Sequence, residues 1–223
     1  MKQTKNLRII ALIYFLVLYA LWACLECVIV PKLKSQTLPV SVEIIKEIGC
    51  KMLVWFIPSL ILILRHSDQL FLPKNELLGD AKKTVTYVPM CIFLLLFTAW
   101  FMIPNYLHNG KILFSSSFGA EDALVALFAG ITEEIFFRGF LLNTTLKDRK
   151  PWIPILGNAV MFLTIHFPIW LREGLFTGYM TSFAFLQLMM LSVIFSWTFV
   201  KSRSLIVPVI IHAYWDLLCA VFP

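Results

Sequence analysis

The residues of this chain whose types and spacing could do chemistry begin at Glu133-Glu134-Ile-Phe-Phe-Arg138. Two carboxylates and a guanidinium sit there inside a segment, Leu124 to Leu142, otherwise apolar enough to lie within a bilayer. Ionisable groups at membrane depth are costly. Where they occur they pair, face a protein interior or a water-filled cavity, and mark function. Two further places of this kind follow, Phe162-Leu-Thr-Ile-His166 and His212-Ala-Tyr-Trp-Asp216. Two glutamates, two histidines and an aspartate on separate apolar segments read as a hydrolytic site within a membrane.

Neighbours on a helix are about 100° apart, so Glu133 and Glu134 cannot both face one cavity squarely. Arg138 follows Glu134 by one turn and shares its face, which predicts a Glu134–Arg138 pair. Glu133 is then the freer carboxylate, able to hold a water and, in a desolvated place, suited to general-base work. An ion-paired polar seam that only locks helices is the structural alternative. His166 precedes Pro168 at a helix end, where a histidine is ordinarily a satisfied hydrogen-bonding group; its company argues for function. His212 and Asp216 share a face at the spacing by which H-E-x-x-H helices present two metal ligands. Asp216 would ligate a metal, hold the histidine tautomer or accept a proton.

These residues need helices at matched depth to bring them together. The chain has 223 residues and is 60% hydrophobic, against about 45–50% in a soluble domain. Its mean hydropathy is +0.83. Both point to an all-α polytopic bundle with the lipid bilayer as partner. About seven spans are predicted, within a range of six to eight: 9–30, 48–64, 85–107, 121–146, 152–167, 183–200 and 204–222. The first is read as an uncleaved span. Residues 168–182 read as a loop or a re-entrant piece. The net charge of +6 lies in loops and suits anionic lipid, not nucleic acid. Arg8, Arg65, Lys74, Lys82, Lys83, Lys147, Arg149, Lys150, Lys201 and Arg203, with Lys2 and Lys5, fall on one side. Lys32, Lys34, Lys46, Lys51, Lys111 and Arg172 fall on the other. The bias predicts a cytoplasmic N-terminus. Glu133, His166 and Asp216 then all lie about 18–21 Å from the inner ends of their spans, in one layer. Glu26 would lie near the outer end of the first span and reach water. Asn143 and Asn158 would bond between helices. Cys24 and Cys27 would be small buried hydrophobes.

E-E-x-x-x-R at Glu133, Glu134 and Arg138, F-x-x-x-H at Phe162 and His166, and H-x-x-x-D at His212 and Asp216 together resemble the motifs of the CPBP intramembrane proteases. That group contains CAAX-prenyl endopeptidases of the Rce type and bacterial bacteriocin-processing or self-immunity (Abi) proteins. The resemblance covers residues 120–222, the catalytic core it implies; residues 1–115 carry helices without a recognisable signature. It implies an endopeptidase acting on hydrophobic or membrane-associated peptides in a bacterial plasma membrane. Glu133 would activate water with Glu134 as its partner. Arg138 would be structural, and His166, His212 and Asp216 would complete the site. The family has been described both as metalloproteases, for which His166, His212 and Asp216 would hold a divalent metal such as zinc, and as metal-free glutamate proteases. Asp216 stands where Asn is an alternative; an ionised Asp cannot donate to an oxyanion, which favours a metal-holding or histidine-orienting role. A non-catalytic immunity or scaffold protein and a proton-coupled transporter are the rival readings. The complete polar set argues against the first, and the lack of an internal repeat against the second.

Overall fold

The computed structural model describes residues 2–35, 39–79 and 87–222. Lys82 and Lys83 of the loop charges, and the first residues of the expected third span, lie outside them. The described residues form helices and no strand. In chain order these are α1 (Asn6–Lys34), α2 (Val42–Arg65) and α3 (Val88–Asn109), then α4 (120–146) and α5 (Trp152–Arg172). The short α6 (Phe176–Thr181) follows, and then α7 (Ala184–Ser202) and α8 (Ile206–Val221). Helices α1, α2, α3, α5 and α7 are long and apolar enough to cross a membrane, and α8 is a shorter apolar helix. Helix α4 has the length but carries Glu121, Asp122, Glu133, Glu134 and Arg138. The fold is the all-α polytopic membrane bundle that composition predicts.

The arrangement inverts that of a soluble bundle. Leu12, Leu16, Leu95 and Leu107 stand exposed on the outside, where lipid tails are their solvent. Charged α4 is enclosed: Phe136, Phe137, Phe140 and Leu142 have no exposed surface, nor do Glu134 and Arg138. Aromatic contacts run through the middle, Trp22 to Trp55 at 5.1 Å, Trp55 to Phe136 at 5.4 Å and Phe137 to Phe162 at 5.0 Å. They tie α1 and α2 of the unrecognised half to α4 and α5 in one core.

Three local readings are corrected. The fifth span does not stop at residue 167. Pro168 has no N–H to continue the ladder, so the helix breaks at Ile165–His166 and resumes as Phe167–Arg172. Asn143 does not join helices. Its amide clamps both backbone groups of Leu72 in the loop after α2, at 2.7 and 2.9 Å. Cys24 and Cys27 are exposed rather than buried, on a surface where apolar character serves contact with lipid. Asn158 does join helices, donating to the Phe137 carbonyl at 3.0 Å and accepting from Ser196 at 3.4 Å.

Helices α4 and α8 cross tightly at Gly130. A Cβ there would stand 2.8 Å from the Cβ and 2.9 Å from the backbone N of Ala213. Small residues permit such crossings, and this one lies a turn from Glu134 and beside His212. Gly130→Ala is therefore expected to lower thermal stability in detergent by about 1–3 kcal/mol through overpacking. A helix-interior Gly→Ala change without that contact gains about 1 kcal/mol, so the sign of the shift decides whether the crossing is as tight as it stands.

Candidate active site

Glu134 and Arg138 form the pair their spacing predicts. Nη1 of Arg138 donates to Oε1 of Glu134 at 2.7 Å. The remaining donors reach α7: Nη2 meets the hydroxyl and carbonyl oxygens of Ser192 at 2.7 and 3.0 Å, and Nε meets Ser196 at 3.4 Å. Phe162 and Phe195 cover the guanidinium at 4.8 and 5.3 Å. Helix α4 widens into π-type turns over Ile135–Leu142, a deviation that recurs at functional positions.

The same Glu134 oxygen binds a second partner. Nδ1 of His212 lies 2.7 Å from it. The oxygen is an acceptor, so Nδ1 carries the proton and Nε2 points onward. Nε2 lies 3.5 Å from Oδ2 of Asp216 and 3.9 Å from Oε2 of Glu133. The ring stacks on Phe195 with centroids 4.7 Å apart. His166 is fixed in a similar way, at the helix break. Its Nδ1 lies 2.7 Å from the Phe162 carbonyl oxygen, which leaves Nε2 for the site. Phe162 packs beneath both imidazoles, at 5.0 and 5.8 Å.

Glu133, His166 and Asp216 line one cavity of about 310 Å³, with Trp22, Trp55, Ile165 and Ile169 among its apolar walls. Nε2 of His212 lies beside two of these lining residues, Glu133 and Asp216. The structure thus brings the six motif residues together, Arg138 from behind through Glu134. Glu133, read from the sequence as the freer carboxylate, has one oxygen paired across helices and one without a partner. Nζ of Lys51 donates to Oε1 of Glu133 at 2.6 Å and also pairs with Glu47. Oε2 of Glu133 has no hydrogen-bond partner among the described residues.

Lys51 and Lys46, expected among the outer-side charges, are both buried in α2. Lys46 reaches Glu43 at 2.7 Å, Glu47 at 3.1 Å and Glu26 at 3.1 Å. Glu26 does not reach water: it is fully buried, and Arg172 donates to it at 2.9 Å. Arg172, likewise expected in an outer loop, turns its side chain inward at the end of α5. Mutual neutralisation lets these groups stay inside. One signal for Lys51 is present in the sequence, a lone lysine inside an apolar run, four residues after Glu47.

No three of the described His, Cys, Asp and Glu residues are gathered so as to hold a metal ion. His166, His212 and Asp216 do not form such a set as they stand. Each imidazole commits Nδ1 to an oxygen and leaves Nε2 free.

Comparison with known proteins agrees with the geometry. Residues 115–218 match the family model of type II CAAX prenyl endopeptidases, Rce1-like. The match bears out the resemblance carried by the three motifs and contains all six of their site residues. Lys51, Glu47 and Glu26 lie outside it. No curated protein and no solved structure matches the chain.

Proposed function

We propose, with the Rce1-like character of residues 115–218 as the premise, that this chain is an intramembrane endopeptidase that uses Glu133 to activate water. The observation that carries the reading is the unpartnered Oε2 of Glu133, a residue that lines one cavity with His166 and Asp216. Oε2 takes a proton from water as the water oxygen attacks the scissile carbonyl carbon. His166, whose Nδ1 donates to the Phe162 carbonyl, accepts a hydrogen bond from the water at Nε2, and His212 in its doubly protonated form donates from Nε2 to the oxyanion, the preorganised electrostatic assistance such a site needs. Glu133 then returns the proton to the amide nitrogen, and the C–N bond breaks. Glu134 and Arg138 hold His212. No step is routed through a metal.

The cavity is lined by the end of α1, the start of α2, the start of α4 and the end of α8. The loop charges assign that end of the bundle to the outer side. A membrane-borne or exported peptide, such as a bacteriocin or pheromone precursor at a bacterial plasma membrane, suits this better than a cytosolic prenylated protein. The test is cleavage by purified protein in liposomes, with internally quenched prenylated and unprenylated hydrophobic peptides as probes. Asp216→Asn keeps size but removes the charge 3.5 Å from Nε2 of His212. It is expected to lower the rate at least about tenfold. Full activity in the Asn variant would instead give the position the role of an oxyanion donor.

A further inference from the structure

We propose that Lys51 is a positioning residue for Glu133, so that the half of the chain outside the family match supplies part of the catalytic machinery. The inference rests on the endopeptidase reading and adds to it a group that none of the three motifs contains. Lys51 holds Oε1 of Glu133 at 2.6 Å, which leaves Oε2 as the oxygen free to act as base. The ammonium is itself fixed. Glu47 binds it from one turn earlier on α2, and the rings of Trp22 and Trp55 lie 5.4 and 5.2 Å from it. Wide turns flank it on both sides, Ile45–Cys50 and Met52–Phe56, and carry its side chain into the cavity wall. The support continues outward. Glu47 binds Lys46, Lys46 binds Glu26, and Glu26 binds Arg172, six residues beyond His166 on the same helix. One chain of alternating charges thus connects the base on α4 to the helix that presents His166.

Two carboxylates, Glu47 and Glu133, share one ammonium, so removing Lys51 leaves two negative groups facing each other in a low-dielectric place. A neutral side chain of the same length fills the space but cannot hold Oε1. The test uses the full chain in liposomes with internally quenched hydrophobic peptides, unprenylated and prenylated. Lys51→Met is expected to lower kcat at least about 100-fold with KM within about threefold, the pattern for loss of an interaction used in the transition state. Lys51→Arg is expected to retain activity within about tenfold of wild type. In Lys51→Ala, added propylammonium is expected to restore part of the rate, and propanol, similar in size but uncharged, is not. A packing role would not separate the two. Wild-type rates in Lys51→Met would overturn the proposal. The coupling is also read without substrate, from melting temperatures of Lys51→Met, Glu133→Gln and the double variant. Lys51→Met is expected to lose about 10 °C, and the double variant to regain much of it. Additive losses would overturn the proposal whatever the protein cleaves. A coupled cycle with an inert wild type would count against the endopeptidase reading and leave the positioning of Glu133 standing.

Discussion

Glu133→Gln is expected to lower peptide cleavage by about 10³-fold, the scale of losing a general base, while the protein stays folded. Oε2 is the carboxylate oxygen without a hydrogen-bond partner, and an amide there cannot take a proton from water. Folding survives because Lys51 keeps its pair with Glu47, and the substituted amide would still offer its carbonyl oxygen to Nζ. The measurement is single-turnover cleavage in liposomes beside a melting curve in detergent. Equal rates in variant and wild type would remove Glu133 from the reaction. Loss of rate together with loss of the folded state would leave only a structural role for it.

Glu134→Gln is expected to behave differently, with a loss of stability of about 3–5 kcal/mol, the range for breaking a buried ion pair by removing one partner. One oxygen of Glu134 serves Arg138 and His212 at once, at 2.7 Å each. All three side chains are buried. Without the carboxylate, Arg138 keeps only neutral partners, Ser192, Ser196 and the amide oxygen, and His212 keeps a neutral acceptor in place of a charged one. Activity is expected to fall with stability. Replacing Arg138 by Met together with Glu134→Gln should recover part of the stability, since no unpaired charge remains, and none of the activity. Chemical denaturation and cleavage rates measured on the same preparations check both halves. A Glu134→Gln protein as stable as wild type would show that Ser192 and Ser196 suffice to hold the guanidinium.

The two adjacent glutamates therefore divide the work, and the division follows from which partners each can reach. The partners of Glu134, Arg138 on α4 and His212 on α8, both lie inside the matched region. The partner of Glu133 lies on α2, outside it. On the proposed mechanism, a Glu133 base held from a helix without a recognisable signature would give α1 and α2 a chemical reason to be where they are, beyond filling the bilayer. Their aromatic residues serve the same end, since Trp22 and Trp55 pack on each other and on the Lys51 ammonium.

The sequence by itself determined what depends on short range. Apolar runs set the helices, because a buried backbone in lipid must satisfy itself. Spacing of four residues along one helix set the Glu134–Arg138 pair and placed His212 and Asp216 on one face, because a helical turn fixes those neighbours whatever surrounds them. The order of the three motifs pointed to the family. Tertiary structure alone decided which charge meets which across helices. His212 and Glu134 are 78 residues apart, Lys51 and Glu133 are 82, and Arg172 and Glu26 are 146. No periodicity encodes these pairs, since each follows from the rotation and depth of two helices packed against a third. Lys46, Lys51, Glu26 and Arg172 therefore read as outer charges near water until packing closed them together. A charge in a chain is read as exposed by default; only a partner brought from elsewhere makes its burial tolerable.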